Sequence, residues 1–155
     1  MTAERTSAST IVGAPRPAVM AVIADFPAYP EWATAVRSAE VTEPSGPGDG
    51  AADGRARRVR FMLDAGVIKD SYVLAYEWEN DTQVRWELAE GGSVISAMDG
   101  RYRLADAAEG TEVTYELAVD VKIPMIGMLK RKAEKMIIDT ALKELKKRAE
   151  SMRSQ

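Results

Sequence analysis

The chain has 155 residues, 46% hydrophobic and 29% charged, with a formal net charge of -3; this is the balance of one soluble globular domain, long enough to bury a core unaided. It contains no cysteine and no histidine. Disulfide frameworks, thiolate zinc sites and cysteine nucleophiles are therefore excluded, and the commonest neutral-pH base and metal ligand is missing.

Proton chemistry is left to Asp, Glu, Tyr, Lys and Arg, which burial must retune before they act near neutral pH. No metal or cofactor is expected. Residues 1–9 lack the apolar stretch of a signal peptide, and no run approaches membrane-spanning length. The expectation is one cytoplasmic domain over 1–155, with flexible ends at about 1–5 and 152–155.

Thr6 to Val12 is rich in hydroxyl and β-branched residues and predicts a first strand. Pro17 then opens a short helix with Val19, Met20, Val22 and Ile23 on its apolar side, and Phe26-Pro27 stops it. An aromatic turn with Tyr29 and Trp32 follows, and Pro30 starts a second short helix that ends near Ala35. Val36 to Glu43 predicts another strand, and Pro44 to Gly54 a long loop without the spacing of a phosphate-binding loop.

Period-two alternation then dominates for about seventy residues, as strands with one buried face require. It turns Val59, Phe61 and Leu63 inward in a strand over Arg55 to Asp64, then Tyr72, Leu74, Tyr76 and Trp78, then Val84, Trp86 and Leu88. Val113, Tyr115, Leu117 and Val119 form the inward set of the last strand. Turns at Gly66, Asn80-Asp81, Gly91-Gly92 and Glu109-Gly110 predict consecutive hairpins in an antiparallel meander.

Beyond Pro124 the pattern is helical to about Met152. Ile126, Leu129, Ala133, Met136, Ile137 and Thr140 form one stripe, expected over the concave face of the sheet. Ile138, Ala141, Leu142, Leu145, Ala149 and Met152 form a second, rotated stripe, expected against the short helices. The basic residues here, Lys130-Arg131-Lys132, Lys135, Lys143, Lys146, Lys147 and Arg148, are interleaved with Glu134, Asp139, Glu144 and Glu150. They read first as a solvated face and second as a weak contact with an anionic membrane surface. No nucleic-acid partner is expected from an acidic chain without a recognition-helix or stacking motif.

Asp25-Phe26-Pro27-Ala28-Tyr29-Pro30-Glu31-Trp32, Tyr102-Arg103-Leu104 with Gly110-Thr111-Glu112-Val113-Thr114-Tyr115, and Ala141 to Lys147 together resemble the polyketide cyclase/dehydrase family. That family is part of the START-related, birch-pollen-allergen-like SRPBCC superfamily. The resemblance implies an α+β helix-grip fold, a curved seven-stranded antiparallel sheet around a long C-terminal helix, with two short helices between strands 1 and 2. It also implies a cavity between sheet and helix for lipids, polyketides, quinones or hormones, in a superfamily of which only some members are enzymes.

On that fold an unusual number of polar tips face the interior: Asp70, Tyr72, Tyr76, Trp78, Trp86, Ser96, Tyr102 and Tyr115, with Arg55 and Arg57 near one strand end. An unpaired buried polar group costs about 1–3 kcal/mol, which a cavity relieves and a dry core does not. The expected ligand contacts are Trp32, Phe61, Tyr72, Tyr76, Trp86, Ser96, Met98, Tyr102, Tyr115, Met136 and Thr140.

The first functional reading is a non-catalytic carrier for a hydrophobic small molecule. The second is an aromatase/cyclase in which Tyr72, Tyr76 or Tyr115 polarises a carbonyl and Asp70 or Arg57 moves protons. The third is a regulator that docks a partner or a membrane. Asp70 with Arg57 reads otherwise as a structural ion pair. The sequence assigns no catalytic residue and no oligomeric state.

Overall fold

The computed structural model describes residues 5–44, 55–64, 69–122 and 127–153. Strand β1 (Thr6–Val12) leads into helix α1 (Arg16–Ala24), a 3-10 turn (Phe26–Ala28) and helix α2 (Tyr29–Trp32). Six strands follow: β2 (Val36–Glu43), β3 (Arg58–Asp64), β4 (Lys69–Glu79), β5 (Gln83–Glu90), β6 (Ile95–Ala107) and β7 (Gly110–Val121). Helix α3 (Gly127–Arg153) ends the described chain. The strands form one antiparallel sheet in the order β1-β7-β6-β5-β4-β3-β2, so the meander closes by bringing β1 beside β7. This is the helix-grip architecture expected from the sequence. The loop at 45–54, the turn at Gly66 and residues Pro124 and Ile126 lie outside the described residues.

Register shifts interrupt β2/β3 twice, β4/β5 once and β6/β7 once. Each extra residue bends its strand and increases the local twist, so the irregularities give the sheet its concave face. Asn80 takes a positive φ of 48° in the β4–β5 turn, a conformation Asn tolerates better than most residues.

Alternation assigns the inward faces of β3 to β5 and β7 correctly: Val59, Phe61, Leu63, Tyr72, Leu74, Val84, Trp86, Val113, Tyr115, Leu117 and Val119 are buried. Ser96 is a correction. The shift between Ile95 and Ala97 sets two consecutive residues outward, and Ser96 is exposed while Ile95 and Met98 are buried. The third strand also begins later than expected, at Arg58. The preceding Arg55 is engaged with the β4–β5 turn, donating to Asp81 at 2.6 Å and to the Asn80 carbonyl, and stacking over Trp78.

Helix α3 does not lie flat across the concave face. It packs on β1, β7, α1 and α2, burying Ala133, Ile138, Leu142, Leu145 and Ala149 at helical spacing. Of the second expected stripe Ile138, Leu142, Leu145 and Ala149 are buried while Met152 is half exposed; of the first, Ala133 is buried and Leu129 and Met136 are each half exposed.

Glu134 is the second correction, since it sits on the buried side at 1% exposure and not on a solvated face. It accepts hydrogen bonds from Thr6 Oγ1 at 2.7 Å, the Val119 backbone N–H at 2.8 Å and Lys130 Nζ at 2.8 Å. At the other end, Glu150 accepts from the Gly13 N–H and from Lys146, which also donates to the Ile11 carbonyl. Lys135–Asp139 and Arg148–Glu31 pairs occupy further cations of this helix. Among the described residues, no helix is long and apolar enough to cross a membrane.

Candidate functional site

Because α3 is held on β1 and β7, the space above β3 to β6 stays open, and a cavity of about 300 Å³ lies between the sheet, the end of α1, α2 with the segment that follows it, and α3. Its sheet wall is made of residues placed directly opposite one another on neighbouring strands: Phe61 with Tyr72, Tyr76 with Trp86, and Tyr102 with Tyr115. Such opposed pairs are the closest side-chain neighbours a sheet offers. Ring centroids are 5.9, 5.9 and 4.5 Å apart in the three pairs. Tyr29 and Trp32, 4.9 Å apart, extend this aromatic wall from the helical side, and the fully buried Phe26 packs against Tyr29.

Gly100 stands opposite Trp86 on β6. A Cβ there would lie 2.7 Å from the indole and 2.8 Å from the Glu116 carbonyl oxygen, so the missing side chain is what seats Trp86.

Helix α3 contributes Met136, Ile137, Thr140, Ala141 and Glu144 to the opposite wall. The exposed or half-exposed members, Thr34, Asp64, Met136 and Glu144, mark the mouth. Glu144 accepts a hydrogen bond from the Thr34 N–H at 3.1 Å, and Asp64 pairs with Arg37 at 3.2 Å. Of the residues expected from the sequence, Trp32, Phe61, Tyr72, Tyr76, Trp86, Met98, Tyr102, Tyr115, Met136 and Thr140 all line this cavity, and Ser96 does not. The sequence reading missed Tyr29, Thr34, Asp64 and Glu144. Tyr29 was visible within the aromatic turn, whereas Thr34 and Asp64 carry no local signal and Glu144 resembled its solvated neighbours.

The phenols have an uneven share of partners. Tyr29 donates to the Ile23 carbonyl oxygen. Among the described residues, the hydroxyls of Tyr72, Tyr76, Tyr102 and Tyr115 have no hydrogen-bond partner, and the buried Trp32 Nε1 has none either. Burial pushes all five phenols well above the usual tyrosine range. At working pH they are neutral O–H donors that also accept; they are not phenolate bases.

Asp70 and Arg57 correct the expected proton-handling and ion-pair roles. Asp70 sits on the inward face opposite Leu63, but it is turned to the β5–β6 connection, where it accepts from the N–H groups of Ser93 (2.9 Å), Val94 (3.0 Å) and Ile95 (2.8 Å). Gly92 lies so close that a Cβ would meet Asp70 Oδ1 at 2.2 Å. Arg57 sits at the opposite end of the β3/β4 pair, roughly 20 Å away by strand rise, half exposed and 3.5 Å from Glu43. Neither residue lines the cavity.

Burial raises the Asp70 carboxyl, but the backbone N–H bonds from Ile95, Val94, Ser71 and Ser93 outweigh it and hold it below the ordinary aspartate range. A carboxyl depressed on folding stabilises the fold above its unfolded pKa, and that stabilisation is lost as pH falls through the folded value. Below about pH 4, wild-type unfolding free energy is therefore expected to drop more steeply than that of Asp70→Asn. At pH 7 the variant is expected to be about 2 kcal/mol less stable, having lost charged acceptors. Urea titrations from pH 2.5 to 7 check both; equal slopes would show that Asp70 contributes nothing to the acid transition.

Residues 3–150 match the family model described as polyketide cyclase/dehydrase and lipid transport. No curated protein matches the sequence. Among solved structures, the fold is similar to a START superfamily protein from Mycobacterium smegmatis, with a TM-score of 0.84 at 21% identity over 97% of this chain and 99% of that one. It is also similar to the Zhui aromatase/cyclase from Streptomyces sp. R1128, with a TM-score of 0.70 at 14% identity over 95% and 93%. At these identities the likeness is one of fold.

Proposed function

The chain belongs to the polyketide cyclase/dehydrase and lipid transport family, and on that premise we propose that it is a non-catalytic carrier for a hydrophobic small molecule held between the sheet and α3. The observation that carries this reading is the pairing of an aromatic cavity of about 300 Å³ with four phenols, Tyr72, Tyr76, Tyr102 and Tyr115, that have no hydrogen-bond partner among the described residues and that burial pushes away from ionisation. Burying about 300 Å² of apolar ligand surface at ~25 cal/mol per Å² contributes roughly 7 kcal/mol. Lost translational and rotational freedom offsets much of it. Apolar burial alone thus gives weak binding, and Tyr72, Tyr76, Tyr102 and Tyr115 supply the orientation and the remaining affinity.

The aromatase/cyclase reading keeps one observation in its favour: free phenol O–H groups stand ready to polarise a carbonyl. It is short of a base, because Asp70 and Arg57 are off the cavity and the acids that line it, Asp64 and Glu144, sit at its mouth. General base catalysis needs the base within about 3 Å of the proton it removes.

Native mass spectrometry of the purified protein, followed by solvent extraction, tests the carrier. The expected result is a 1:1 adduct with an apolar compound that is recovered unchanged and rebinds the extracted protein. A reproducible conversion of a poly-β-keto thioester above the buffer rate, slowed at least tenfold in Tyr72→Phe or Tyr115→Phe, would replace the carrier with the enzyme.

A further inference from the structure

We infer that the cavity selects a neutral ligand bearing a hydrogen-bond acceptor and turns away carboxylates. The inference rests on the carrier reading above and adds the chemical class of its ligand. Among the described residues that line the cavity, the charged ones are Asp64 and Glu144, both acidic and both at the mouth. Arg37, which pairs with Asp64, is two-thirds exposed and is not among the lining residues. A carboxylate entering by this route passes the Glu144 carboxylate and the Asp64–Arg37 pair, and then loses its water shell among described lining residues that include no cation to replace it. Among the described lining residues the deep polar groups are neutral, the phenols together with the Trp32 and Trp86 indoles and the Thr140 hydroxyl, and burial pushes the phenols further from ionisation.

The acceptor requirement comes from the phenols. Among the described residues, the hydroxyls of Tyr72, Tyr76, Tyr102 and Tyr115 on the cavity wall have no hydrogen-bond partner. An O–H left unpaired away from water is costly, and a carbonyl or ether oxygen brought by the ligand satisfies it. The volume sets the scale: the cavity is about twice the ~150 Å³ that accommodates one benzene ring, so two fused rings fill it.

Three probes of equal ring size separate these terms: naphthalene, 2-acetylnaphthalene and 2-naphthoate, titrated into the full chain at pH 8 and followed by probe fluorescence. The ketone is expected to bind at least tenfold more tightly than naphthoate and several-fold more tightly than naphthalene. At least one of Tyr72→Phe, Tyr76→Phe, Tyr102→Phe and Tyr115→Phe should remove the advantage of the ketone over naphthalene, and its persistence in all four would overturn the acceptor requirement. Asp64→Asn with Glu144→Gln should raise naphthoate affinity several-fold with little effect on the ketone. Naphthoate binding as tightly as the ketone to the wild-type protein would overturn the inference and leave the carrier intact. Failure of naphthalene to bind at all would bring down the carrier reading, and this inference with it.

Discussion

Ala141→Trp is expected to remain folded and to lose at least a hundredfold in affinity for a neutral bicyclic aromatic. Ala141 lies on the α3 wall of the cavity, partly buried, and the substitution adds about nine heavy atoms of flat apolar surface. Directed inward, that indole occupies the volume a two-ring ligand needs. The opposite wall is rigid: Tyr102 and Tyr115 are opposed across β6 and β7, and Trp86 is seated on Gly100. Thermal unfolding should be unchanged or raised, because open space is filled without displacing packed atoms. Unaltered probe affinity in a folded Ala141→Trp protein would place the ligand elsewhere.

The largest expected loss of stability follows from Glu134→Ala, at about 3 kcal/mol. For a chain of this size that corresponds to roughly 6–12 °C in Tm. Glu134 joins α3 to β1 through Thr6 and to β7 through the buried Val119 N–H, and alanine leaves that N–H unsatisfied. Lys130 is a quarter exposed and can be rehydrated, which limits the cost to the lower part of the range for a broken buried pair. Glu134→Gln keeps acceptor capacity and should lose about half as much. Amide exchange should rise first at 129–138, while 142–149 stays protected by its packing on β1 and α1. Uniform acceleration along the whole helix would mean that Glu134 does not anchor its first half.

What the sequence made legible was set by periodicity. In β3, β4, β5 and β7 the alternation is regular, so Phe61, Tyr72, Tyr76, Trp86 and Tyr115 are assigned to one face from spacing alone, and the hairpin order then aligns them into the cavity wall. Ser96 failed because a bulge changes the face of a residue without leaving a residue-type signal. Asp70 failed for a different reason. A carboxylate facing inward invites a charged partner in a sequence reading, whereas its actual partners are backbone N–H groups of the 93–95 segment, which no side chain announces. Glu134 lay among lysines and resembled a solvated i,i+4 residue; its Lys130 pair exists, but the carboxylate is turned inward because Val119 and Thr6 offer it donors. The offset of α3 toward β1 and β7, which creates the room, is a tertiary outcome that helical spacing does not encode.

The central claim is that this room holds a small molecule against the phenols, and intermolecular NOEs test it most directly. With 2-acetylnaphthalene bound at 1:1, the account predicts contacts from the naphthalene protons to the ring protons of Tyr72, Tyr102 and Tyr115 and to the side chains of Ala141 and Ile137 on α3. Saturable binding with contacts confined to exposed residues such as Leu129, Met62 or Val41, and none to those tyrosines, would contradict it.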